Sequence, residues 1–171
     1  MATAKHTLVA LVEDKPGVLN RMASLFRRRG FNIESIAVGH SDVPHMSRMT
    51  FVVIGTEAMV EQVRKQLDKL VDVVKVSDIT GSDMIARELA LIKVKADSDT
   101  RTEIIEIVDI FRANIVDVAA DSVMVEATGD DVKIKSLYDL LSNFGIKEMA
   151  KTGRIAMTRG SLLRGKAGSR K

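Results

Sequence analysis

The chain has 171 residues, 46% of them hydrophobic, with 26 Lys and Arg against 23 Asp and Glu, a net charge of +3, and no cysteine. That length admits one domain or two small ones, and the lack of cysteine removes disulfides, zinc–thiolate clusters and thiol nucleophiles. The charge is unevenly placed: beyond Glu148 there is no acid but seven bases, and taking those seven from +3 leaves the first 148 residues at −4. A body of that charge lacks the basic face that nucleic-acid binding requires. No apolar run nears the roughly 20 residues that span a bilayer. The N-terminal Met1–His6 has no signal-peptide h-region, which predicts a cytoplasmic protein.

Leu8–Val12 is an apolar run bounded by turn residues, the pattern of a buried strand. In Glu13-Asp14-Lys15-Pro16-Gly17, Asp14 is placed to cap a helix, Pro16 pre-sets a first turn, and Gly17 permits close approach of a backbone or ligand. Val18, Met22, Leu25 and Phe26 recur at helical spacing. Arg27-Arg28-Arg29-Gly30 closes that helix with a cationic last turn and a C-cap glycine. A strand through Ile33–Val38, a polar connection Gly39–His45 and a strand Ser47–Ile54 make a hairpin. Thr56 is placed to cap a helix with Val60, Val63, Leu67 and Leu70 on one face, and the valine-rich Val71–Ile79 reads as a strand. The order is β-α-β-β-α-β, the ferredoxin-like arrangement.

A boundary at Thr80–Asp83 is followed by the same order again. Met84–Glu88 leads into a strand Leu89–Lys95, then a helix Thr102–Arg112, a hairpin of Ile115–Val118 and Val123–Thr128, and a helix bearing Leu137, Leu140, Leu141 and Phe144 that stops at Gly145. Ile146–Met149 and Arg154–Met157 supply one last strand, interrupted at Gly153. The halves share a scrap of sequence 82 residues apart, Phe31-Asn32-Ile33 and Ala113-Asn114-Ile115. At that offset Asp14-Lys15-Pro16-Gly17 faces Ala96-Asp97-Ser98-Asp99, so the second copy keeps the order and drops the Pro-Gly loop. The fold class is therefore α+β, two ferredoxin-like βαββαβ domains in tandem, at residues 5–80 and 81–160, with 161–171 a disordered basic tail.

The free N–H groups of Gly17, Val18 and Leu19 at the helix start suit a carboxylate. Asp14 can accept from an ammonium, Asn32 offers both a donor and an acceptor, and Leu11, Leu19 and Ile33 can wall a small apolar pocket. Together they describe a site for a free amino acid. The plainer reading has Asp14 only capping the helix, Gly17 only permitting the turn, and Asn32 bonding to its own backbone. His40 and His45 flank Asp42 on a turn without further metal-ligand residues, and no nucleophile or acid–base set emerges, so neither a metal nor a catalytic site is expected.

Glu13–Arg21, Arg29–Ile36, Ser47–Thr50 and Gln66–Val73 together resemble the small regulatory subunit of acetolactate synthase, over about Lys5–Gly160. The Pro-Gly loop alone marks only the wider ACT-domain class of amino-acid sensors. The resemblance implies an N-terminal ACT domain, a homodimer through those domains, and a separate catalytic large subunit that this chain activates. It further implies feedback inhibition by valine or a related amino acid in branched-chain biosynthesis, with Asn32 acting on the neighbouring protomer's site. Thiamine diphosphate, FAD and magnesium would belong to the catalytic partner, with no cofactor in this chain. Many members carry asparagine at the position of Asp14, where this chain adds a charge. Arg48 is a candidate contact for the catalytic subunit, or an ordinary strand residue. The alternative is an ACT-domain regulator of another enzyme or of transcription, but no helix-turn-helix is found, and too few aromatics are present for RNA stacking.

Overall fold

The computed structural model describes residues 3–160, so the basic tail at 161–171 lies outside the described residues. The first unit runs β1 (Ala4–Glu13), α1 (Val18–Arg28), β2 (Ile33–His40), β3 (Met46–Gly55), α2 (Glu57–Leu67) and β4 (Val73–Asp78). Its antiparallel sheet has the order β2-β3-β1-β4. One face of the sheet is covered by helices: Leu8, Ala10 and Val12 of β1 meet Val18, Met22, Leu25 and Phe26 of α1 and Val60, Val63 and Leu67 of α2. The helical spacing seen in the sequence is thus the buried stripe of each helix.

The termini of α1 follow from local chemistry. Gly30 sits at φ 70°, the left-handed conformation that costs other residues their Cβ clearance. Its N–H bonds to the carbonyl of Arg27, and the Phe31 N–H to that of Phe26, the paired bonds of a Schellman motif. Phe26 and Phe31 complete it with an edge-to-face contact, ring centroids 6.5 Å apart. Thr56 caps α2 as its sequence suggests, its hydroxyl oxygen accepting from the Met59 N–H.

The second unit runs β5 (Met84–Lys95), α3 (Arg101–Ile110), β6 (Asn114–Val118), β7 (Ser122–Gly129), α4 (Asp131–Leu141), a 3₁₀ turn Ser142–Phe144, β8 (Ile146–Lys151) and β9 (Ile155–Thr158). Its sheet order is β6-β7-β5-β8, with β9 also on β5. On α4 the buried residues are Ile134, Leu137 and Leu141, whereas Leu140 is exposed. Leu140 is therefore off the core stripe, and Ile134 holds the place one turn earlier.

Two readings of the second half change. Met84–Glu88 is no lead-in: β5 is one strand of 12 residues. Its first part pairs with β9, from Met84 opposite Thr158 to Arg87 opposite Ile155, and its later part with β7 and β8. Its partner in that first part lies some 70 positions on in the chain, so local periodicity could not announce it. The single interrupted strand after Gly145 is likewise two strands, both laid on β5 and broken at Thr152–Arg154.

The β5–β9 arm packs on the open face of the first sheet, where Val9, Ile79 and Ala156 are buried with Met84 and Ala86 against them. Both faces of β1 are therefore covered, which explains why Leu8–Val12 is apolar throughout rather than alternating. Across this seam the Arg48 guanidinium donates to the Ala156 carbonyl at 3.0 Å. The Arg154 N–H donates to the Ser35 hydroxyl at 2.7 Å. Among the described residues no helix is long and apolar enough to cross a membrane.

Candidate functional site

The β1–α1 loop stands open: Asp14, Lys15, Pro16 and Gly17 are exposed at the head of α1. The cap position of the helix is Gly17, at φ 86° and without a side chain, so no side chain caps the first turn. Asp14 lies three residues too early to cap it. Its carboxylate turns toward the β2–β3 hairpin instead, where Oδ1 accepts from the Ser47 hydroxyl at 3.2 Å and Oδ2 lies 3.3 Å from His40 Nδ1. The Asp14 N–H bonds to the His45 carbonyl at 2.9 Å. The hairpin therefore positions Asp14, and the helix start is left uncapped.

Of the three amides that the sequence singles out, Val18 is partly used, donating to the Lys15 carbonyl at 3.4 Å. Gly17 and Leu19 have no acceptor among the described residues, and neither has Asn20, an amide that the sequence reading passed over. Val18 is buried and anchors the helix, while the Leu19 side chain is 44% exposed. Two or three convergent N–H groups at a helix start, with the partial positive charge of the helix behind them, bind an anion.

Arg21 was also missed. One turn below Gly17, its Nη1 lies 3.7 Å from where a Cβ on Gly17 would stand. Its Nη2 is paired with Asp72 at 2.5 Å. The i, i+4 spacing from Gly17 was the available signal, though only the side-chain direction shows a second positive group beside the loop.

The corresponding loop of the second unit is built differently. Asp97 Oδ1 accepts from the N–H groups of Asp99 and Thr100 and from the Thr100 hydroxyl. Bonding from the Thr100 backbone and hydroxyl holds the Asp97 carboxyl below its usual value. At the 82-residue offset Asp99 is the counterpart of Gly17, so the chain's own carboxylate takes an amide that the first loop leaves open, while the counterpart of Leu19, Arg101, donates to the Asp97 carbonyl at 3.1 Å.

Asn32 is exposed and its side chain makes no hydrogen bond among the described residues. Its counterpart Asn114 donates to Glu126 at 3.4 Å. Ile33 is half-buried against the first core. Both residues stand beyond the C-terminus of α1, and a helix of 11 residues separates its ends by about 16 Å. Within one protomer, therefore, Asn32 and Ile33 are not brought to Gly17. Arg48 is apart from the loop as well, turned into the seam. Among the described residues no three His, Cys, Asp or Glu side chains converge as metal ligands would.

A ferredoxin-like unit with an open β1–α1 loop, followed by a second unit whose loop is filled, defines an ACT-type regulatory chain. The model of the acetolactate synthase (AHAS) small subunit-like ACT domain matches residues 8–75, and that of the small subunit of acetolactate synthase matches residues 87–160. A probable acetolactate synthase small subunit of Archaeoglobus fulgidus is 55% identical over 157 residues, 92% of this chain and 98% of that protein. The acetolactate synthase small subunit of Mycobacterium bovis is 50% identical over 160 residues, 94% of this chain and 95% of that one. The crystal structure of the Thermotoga maritima acetolactate synthase small subunit superposes with a TM-score of 0.86 at 42% identity, covering 93% of this chain and 99% of that one. The chain belongs to the acetolactate synthase small-subunit family.

Proposed function

We propose that this chain is a non-catalytic subunit that activates the acetolactate synthase large subunit in the cytoplasm and makes it sensitive to valine or a related branched-chain amino acid. The thiamine diphosphate, FAD and magnesium of the reaction are assigned to the large subunit. The effector's carboxylate is held by the Gly17 and Leu19 amides, its ammonium by Asp14, and its side chain beside Leu19 and Ile33. Asn32 and Ile33 come from a second copy, paired through the ACT domains, because one protomer holds them at the far end of α1. Domain bounds of 5–80 and 81–160 go with this reading.

The observation that supports it most is the pair of open amides at Gly17 and Leu19 beside an Asp14 carboxylate fixed by Ser47. That pairing matches the two charged ends of a free amino acid. Binding at the loop would act by favouring one of two states of the complex, and engagement of the large subunit would alter effector affinity by the same factor.

The Gly17→Asp variant tests this. Aspartate tolerates the left-handed conformation better than most residues, and its carboxylate would lie beside Arg21 in the place assigned to the effector. Mixed with the large subunit, the wild-type chain should raise acetolactate formation and confer inhibition by valine. Gly17→Asp should still activate but leave the complex insensitive. Undiminished inhibition in that variant removes the loop as the site, and no change in rate on adding the wild-type chain removes the function.

A further inference from the structure

We propose that the seam between the two units holds a second ligand site, for a small monocarboxylate with an apolar body and no ammonium. A cavity of about 380 Å³ lies between the β2–β3 hairpin and the β5–β9 arm, within the size range of small-molecule sites. Its walls are apolar, with Val38, Ile85, Ile155 and Met157 among them, and these side chains remain substantially exposed.

The fixed charges in the cavity are of one sign. Arg48 and Arg87 line it beside the His40 ring, and among the described residues no Asp or Glu does. Each guanidinium has five N–H donors and makes one hydrogen bond among the described residues, Arg48 to the Ala156 carbonyl and Arg87 to the Ala86 carbonyl. Both have donors left for a carboxylate, which a guanidinium matches in shape as well as charge.

The same charges exclude other classes. An amino acid would bring an ammonium among two guanidiniums with no carboxylate on the cavity wall to meet it. A phosphate ester with a polar body would leave its hydroxyls unpaired against the apolar walls. The seam is thus the electrostatic opposite of the β1–α1 loop, where Asp14 supplies the anion. The two are neighbours, since His40 lines the cavity and also faces Asp14 Oδ2 at 3.3 Å.

The test uses 3-methyl-2-oxobutanoate and L-valine, which share a carbon skeleton and carboxylate and differ in ketone against ammonium. Calorimetric titration of the full chain should show the oxo acid binding to the wild-type protein, equally well with valine saturating and in Gly17→Asp. Arg87→Gln, which removes a cation, and Ile155→Glu, which adds an anion at an exposed wall position, should each weaken it by about tenfold or more. No binding of the oxo acid at about 1 mM overturns the proposal. So does displacement by valine or loss in Gly17→Asp, which would put the oxo acid in the loop, or unchanged binding in both seam variants. Failure of valine itself to bind the wild-type chain overturns the effector reading alone, and the seam variants still decide this one.

Discussion

Gly153 lies so close to the backbone of Ile36 that a Cβ on it would overlap the Ile36 carbonyl oxygen and come within 2.9 Å of the Ala37 nitrogen. The turn between β8 and β9 is thereby laid directly on β2, the strand that starts at Ile33 and lines the seam. Next to it the Arg154 N–H reaches the Ser35 hydroxyl, and the Arg154 guanidinium reaches Glu88, 3.2 Å away and 3% exposed. This corner fastens the two units together by backbone proximity as much as by side chains.

Gly153→Ala therefore requires the turn to lift off β2, because the atoms it meets are main chain and cannot rotate aside. Overpacking of this kind costs about 1–3 kcal/mol, so the urea midpoint should fall by that amount at unchanged slope. Ser35→Ala removes only the acceptor of the Arg154 N–H and should cost about 1 kcal/mol. A Gly153→Ala protein as stable as wild type would mean that the turn is not held against β2.

Arg112 sits at φ 49° where its counterpart Gly30, 82 positions earlier, sits at 70°. The same paired bonds close both helices: the Arg112 N–H meets the Asp109 carbonyl and the Ala113 N–H that of Val108. The left-handed conformation costs a side-chain-bearing residue about 1–2 kcal/mol, of which the unfolded-chain entropy of glycine returns about 0.5–1. Arg112→Gly should accordingly stabilise the protein by about 0.5–1 kcal/mol in urea denaturation. A destabilised variant would show that the Arg112 side chain contributes more than its backbone strain costs.

The helical faces apart from Leu140, both hairpins and the doubled βαββαβ order were legible because each rests on local spacing and turn chemistry. The length of β5 was not, since Met84–Arg87 is a strand only by virtue of β9. The role of Asp14 was half legible. Its position before a helix suggested a cap, but whether it caps or turns to Ser47 depends on Gly17 occupying the cap, a choice made by the φ of one residue. Arg48 was singled out on a motif, and its bond to Ala156, 108 positions away, could not be read from its neighbours. In the second copy the loss of Pro-Gly was legible, but that Asp97 turns back on the Asp99 and Thr100 amides is shown only by the structure.

Asp78 joins the end of β4 to His6 on β1, with His6 Nδ1 at 3.1 Å and the Thr80 N–H and hydroxyl on the other oxygen. Burial pushes its carboxyl up, but the bonds from Thr80 and His6 outweigh that, and the net direction is down from 3.8. The folded state therefore releases this proton more readily than the unfolded chain does. Its contribution to stability is complete above pH 3.8 and is lost as pH falls through the lower folded value. The stability difference between wild type and Asp78→Asn, measured by urea denaturation, should shrink as pH falls from about 5 to below about 4. A difference that persists undiminished in strong acid would show that the bonds, and not the charge, hold this corner.

Asp14 brings a carboxylate to the mouth of the open loop, and its surroundings say what that charge does. Asparagine can keep the carbonyl acceptor that Oδ1 presents to Ser47, so Asp14→Asn should fold as wild type with the hairpin undisturbed. What it loses is the charge that the proposed site would offer to an effector's ammonium. A hydrogen bond to a charged group contributes about 1.5–3 kcal/mol against about 0.5–1.5 for a neutral one. The affinity for valine should therefore fall about five- to tenfold, while Asp14→Ala, lacking any acceptor, should lose more. Calorimetry on the three proteins separates these cases. Equal affinity in wild type and Asp14→Asn would mean that the Asp14 charge does not meet the ammonium, and that Asn32 of the second copy chiefly holds it.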